Sequence, residues 1–169
     1  MRAKTHYSRT PLHETATEGS IDIAEILIER GANVRAQSDD GRTPLHEAAV
    51  RGHRRFTGLL IERGAYLAIR SGRGWTPLHE ALYQRSPELA AFLIVSGSDV
   101  NAKIEGDFYP EYTALHFAAS RGRNKLVELL IEKGARVNVK DRSGKTPLDL
   151  ATTNEIREAL IQGGAKGQN

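Results

Sequence analysis

Four recurring histidines, His13, His46, His79 and His116, are the residues of this sequence that most invite a chemical reading. Three are followed by glutamate, in "HETAT", "HEAAV" and "HEALY". A zinc hydrolase uses HExxH so that two imidazoles one helical turn apart share a metal while the glutamate acts as base. The positions that would supply the second imidazole hold Thr17, Val50 and Tyr83. Successive histidines belong to successive packed helices, roughly 8 to 10 Å apart, whereas ligands of one ion lie about 2 Å from it. No metal site is expected.

Other catalytic constellations fail on similar grounds. The 169 residues include no cysteine, which removes thiolate nucleophiles, thiolate metal sites and disulfides. The glycine cluster "SGRGWTP", residues 71–77, lacks the preceding strand and the glycine offsets of a nucleotide loop. Glu14, Glu47 and Glu80 recur one period apart and are expected to be solvated, unlike the perturbed acids of an active site. The chain is therefore expected to be neither an enzyme nor a cofactor binder.

The elements that carry these residues repeat. "TPLH" begins at Thr10, Thr43 and Thr76, with "TALH" at Thr113 and "TPLD" at Thr146, at intervals of 33, 33, 37 and 33. Threonine is a good N-cap and proline suits the first helical position, so each motif starts a short helix. In the second unit this helix ends at Gly52. A second helix follows with Phe56, Leu59, Leu60 and Ile61 on one side and stops at Gly64. A lone pair of such helices cannot bury its apolar face and must stack on neighbours.

The 33-residue period, "GRTPLHEAAVRGH", "LLIERGA", "LLIEKGA" and "DVNA" resemble the ankyrin repeat family over about residues 8–165. That resemblance implies an all-α solenoid of stacked helix pairs with projecting hairpin or turn fingers. It would be a single domain spanning 1–169, with units near 8–40, 41–73, 74–110, 111–143 and 144–165. It also implies that the motif histidines hydrogen-bond locally and hold the finger to the first helix. Asn101 and Asn138 fall where some ankyrin proteins are hydroxylated, and a turn-stabilising role is the expectation. The first unit and the polar last helix, with Glu155, Arg157, Glu158 and Gln162, are expected to cap the array.

In such a fold the residue before each motif threonine would face the concave groove. That column reads Arg9, Arg42, Trp75, Tyr112 and Lys145, and includes the three residue types most enriched at binding hot spots, Arg, Trp and Tyr. Tyr83 and Arg121 end first helices, and Phe117 stands where the first three units have glutamate. The 37-residue interval lengthens the fourth finger to "IEGDFYPEY", so that Phe108, Tyr109, Tyr112 and Phe117 crowd into ten positions. The expectation is an apolar contact centre of Trp75, Tyr83, Tyr112 and Phe117. Phe108 and Tyr109 either join it or fold back over the neighbouring unit, and Arg9, Arg42, Arg121 and Lys145 give orientation. On this reading, truncating Trp75 and Tyr112 would abolish binding and leave melting nearly unchanged.

Charge offers a rival surface. The chain carries 24 basic and 21 acidic residues, a net of +3. Residues 43–75 hold six basic and two acidic groups, 76–112 two and six, and 113–145 eight and three. An acidic unit between two basic ones makes an uneven phosphate track. Arg51, Arg54, Arg55, Arg123 and Lys125 nevertheless line the inter-helix loops as an alternative polyanion-binding rim. No export signal or membrane span is expected. The sequence thus points to an intracellular monomer, in the cytoplasm or nucleus, that binds another protein rather than a membrane or nucleic acid.

Overall fold

The structure is a computed structural model that describes residues 8–107 and 109–167. Among the described residues there are nine helices and no strand: α1 (Pro11–Glu18), α2 (Ile21–Glu29), α3 (Pro44–Arg51), α4 (Arg54–Glu62), α5 (Pro77–Tyr83), α6 (Pro87–Val95), α7 (Ala114–Ser120), α8 (Asn124–Glu132) and α9 (Asn154–Gln162). The all-α solenoid expected from the repeats is what forms.

Each first helix starts for the same local reason. Thr10, Thr43, Thr76 and Thr113 hold extended backbone as N-caps, and the histidine three residues on completes a reciprocal capping box. Helix α3 then packs between α1 and α5, and α4 between α2 and α6. Apolar faces are buried on neighbouring units as well as within them, which is how helices of seven to nine residues persist. Leu45, Phe56, Leu60, Leu78, Leu93, Leu115 and Leu130 are almost fully enclosed.

The fingers are tight turns rather than strand ladders. Ser38 N donates to Arg42 O at 2.9 Å, Ser71 N to Trp75 O at 2.8 Å and Asp141 N to Lys145 O at 2.9 Å. Neighbouring fingers touch through their backbones: Gly72 N donates to Asp40 O at 2.7 Å. A Cβ on Gly72 would lie 2.9 Å from that same oxygen, so this approach needs glycine.

The unit that begins at Thr146 departs from the pattern. Residues 147–150 form a turn instead of a helix, closed by Leu150 N to Pro147 O at 3.2 Å and Ala151 N to Leu148 O at 3.3 Å. Asp149 stands where the other units have histidine, and its carboxylate accepts from Thr146 N and Oγ1. Thr153 then caps α9 by accepting from Ile156 N. Three residues fewer leave no room for a first helix.

Candidate partner-binding face

The motif histidines are structural pins. Thr43 N donates to His46 Nδ1 at 3.2 Å, so the proton sits on Nε2, which donates to Trp75 O at 3.0 Å. His13 and His116 reach Arg42 O and Lys145 O in the same way, each tying a first helix to the next unit's finger. His79 instead donates to Ala102 O at 3.2 Å, because the lengthened finger brings a different carbonyl to that place. Burial lowers all four imidazoles below their ordinary value, His46 to about 4 and His79 to about 3. They stay neutral at pH 7. Among the described residues no cluster of His, Asp or Glu could hold a metal.

An ion ladder runs along the first three units. Arg9 bonds Glu14 at 2.8 Å and Glu47 at 2.7 Å, and Arg42 bonds Glu80 at 2.9 Å. Each arginine on a finger thus reaches the carboxylate of the next unit's first helix, 38 residues ahead. Glu47 and Glu80 are only 4% exposed, which corrects the expectation that this column is solvated. Burial raises the Glu80 carboxyl above its ordinary value, and Arg42 opposes that only in part. Arg9 and Arg42 thus bond carboxylates of the array itself.

The ladder gives way to rings at the third finger. Trp75 occupies the arginine position and Phe117 the glutamate position, 42 residues apart, the same step lengthened by four inserted residues. Their ring centroids lie 6.1 Å apart. Trp75 is 4% and Phe117 1% exposed, so neither is the open hot spot that the column reading anticipated. Both are interior, because this finger packs against the next unit's helix just as Arg9 and Arg42 do. Trp75 Nε1 finds no acceptor among the described residues.

Tyr109 closes this cluster. Its ring lies 5.1 Å from Phe117, 5.2 Å from Tyr112, 6.0 Å from Tyr83 and 6.3 Å from Trp75. Tyr112 is half-buried and stacks on His116 at 5.0 Å. The lengthened finger therefore folds back over the neighbouring unit and still leaves Tyr109 38% and Tyr83 40% exposed. Phe108 lies outside the described residues. Arg121 sits 5.5 Å above the Tyr83 ring and donates to Tyr83 O at 3.3 Å. Tyr83, Gln84, Arg85, Tyr109 and Arg121 surround an open depression of about 380 Å³.

Arg85, like Gln84, is a member of this set that sequence reasoning missed. It takes φ +62°, at the position where the other first helices end in Gly19, Gly52 and Gly122 with φ from +68° to +80°. The signal was present as "YQR" against "TEG", "VRG" and "SRG".

The remaining anticipated residues lie elsewhere. Lys145 is exposed, and its carbonyl serves His116. Arg51, Arg54, Arg55 and Lys125 are exposed and Arg123 half-buried, with Arg54 over the Phe92 ring at 4.6 Å. Asn101 and Asn138 each bridge to the next turn, donating to Gly134 O and Gly164 O and accepting from Arg136 N and Lys166 N. Their turn-stabilising role is visible in those bonds. No described helix is long and apolar enough to cross a membrane.

Residues 12–104 match a family model described as ankyrin repeats (3 copies), and residues 108–151 one described as ankyrin repeats (many copies). The chain is similar to Rabankyrin-5 of Mus musculus, at 40% identity over 43% of this chain and 7% of that protein. It is also similar to ankyrin repeat-containing protein P1E11.10 of Schizosaccharomyces pombe, at 38% identity over 39% of this chain and 30% of that protein. Ankyrin repeat and SOCS box protein 6 of Mus musculus is 40% identical over 43% of the chain and 17% of its own length. The matches thus span a minor part of each relative. Since the first family model alone covers more than half of the chain, over helices that stack as repeats, this protein belongs to the ankyrin repeat family.

Proposed function

We propose that the chain is a non-catalytic recognition module that binds a partner protein across the face formed by the end of α5, finger 104–112 and the end of α7. Ankyrin repeats are generally protein-interaction modules, and the observation that favours this face is the half-exposed pair Tyr83 and Tyr109. Large rings held partly open by an interior of Trp75 and Phe117 give contact area at little entropic cost. Tyr112 and Arg121 flank them. Trp75 and Phe117 support the face from below, while Arg9, Arg42 and Lys145 do not share it.

The array offers this surface already folded, so binding needs little rearrangement. A chain without cysteine suits a reducing compartment such as the cytoplasm. The test is capture of a partner by the wild-type chain and its loss on Tyr83→Ser, with a rim variant as control.

A further inference from the structure

The depression beside Tyr83 is lined by two guanidinium groups that meet no carboxylate among the described residues. Arg121 bonds only a carbonyl and lies over rings, and no ion pair or side-chain hydrogen bond involves Arg85 among the described residues. That is unexpected from composition, because residues 76–112 hold six acidic groups and only two basic ones. The other base, Lys103, pairs with Glu111 at 2.7 Å. Upstream, Arg42 is satisfied by two carboxylates, Glu47 at 3.6 Å and Glu80 at 2.9 Å.

The backbone adds an independent observation. Four non-glycine residues with positive φ occur among the described residues, and two of them, Arg85 and Tyr109, line this one depression. Left-handed backbone is unfavourable for side chains other than glycine and tends to persist where it serves a site. At the equivalent helix ends the chain uses glycine. Folding alone would be better served by glycine at position 85 as well.

We infer that Arg85 and Arg121 hold a carboxylate of the partner, an Asp or Glu side chain flanked by an apolar residue that rests on Tyr83 and Tyr109. This deepens the proposed function and rests on it. A carboxylate is the anion that Arg9 and Arg42 bind within the first units of the array, and guanidinium groups match its geometry with charge-assisted hydrogen bonds. A depression of about 380 Å³ has room for a side chain and its neighbour, not for a folded domain. The partner is therefore a protein segment of acidic and apolar character.

The test is an NMR titration of the full chain with three capped tripeptides: acetyl-Phe-Glu-Gly amide, its Gln counterpart and its phosphoserine counterpart. The glutamate probe should move the Nε–H resonances of Arg85 and Arg121 saturably. The glutamine probe should bind about tenfold more weakly or worse, as expected for loss of a charge-assisted contact. Arg85→Gly should weaken the glutamate probe similarly without lowering the melting temperature. Equal binding of the glutamate and glutamine probes, unaffected by Arg85→Gly, would overturn the acidic contact and leave the tyrosine face standing. A response to the phosphoserine probe alone would overturn the carboxylate assignment in favour of a phosphoryl group. Silence from both the arginines and the tyrosine rings would overturn it outright.

Discussion

Trp75 meets Phe117 at 6.1 Å between ring centroids, in the two repeat positions where Arg9 meets Glu47 and Arg42 meets Glu80. One contact of the solenoid is thus made in two chemistries, ionic from the first two fingers and aromatic from the third. The exchange needs both partners, since a buried arginine against Phe117 or a buried glutamate against Trp75 would be left unpaired.

Swapping the chemistry back tests this equivalence. Trp75→Arg and Phe117→Glu should each destabilise the fold by about 3 kcal/mol or more, from lost packing and an unpaired buried charge. The double variant should recover at least about 1 kcal/mol of that as coupling between neighbours. Urea denaturation of the four proteins measures the cycle, and strictly additive losses would mean the two positions do not form one contact.

Replacing Arg85 separates stability from recognition. Arg85→Gly should stabilise the chain by about 1 kcal/mol by relieving the left-handed backbone at φ +62°. The observable is an upward shift of the urea midpoint with the slope unchanged. A lower midpoint would show that the arginine side chain supports the fold, contrary to the geometry.

Acid should loosen the array through its histidines. Because burial lowers His46 to about 4 and His79 to about 3, the unfolded chain binds protons near pH 6.5 that the folded chain refuses. Their contribution is complete above pH 6.5 and is lost on acidification toward 4 and 3, at about 1.4 kcal/mol per pH unit for each residue. Urea midpoints at pH 7.5 and 5.5 should therefore differ, with the neutral sample more stable. Equal midpoints would mean that the pins accept protons without loss of structure.

Much of this was legible in the sequence because the repeat carries local signals. Thr43, Pro44 and His46 announce a helix start on their own, and the spacing of five such starts implies stacking. What was hidden depends on contacts between units. Trp75 looked like an open groove residue because its column was read alone, without pairing it to the glutamate column of the next unit's first helix. Glu47 and Glu80 looked solvated for the same reason. The lost first helix after Thr146 follows from three missing residues, yet the retained "TPLD" start concealed it. Arg85 was readable, by asking which helix end lacks its glycine.

The most direct measurement is a partner capture from nuclease-treated lysate at physiological salt, comparing wild type, Tyr83→Ser and Arg54→Glu with Arg55→Glu. Each protein is first shown to melt within a few degrees of wild type. The account predicts that one protein is retained by the wild type and the rim variant and lost by Tyr83→Ser. Retention by Tyr83→Ser together with loss from the rim variant would contradict it and move recognition to the basic inter-helix loops.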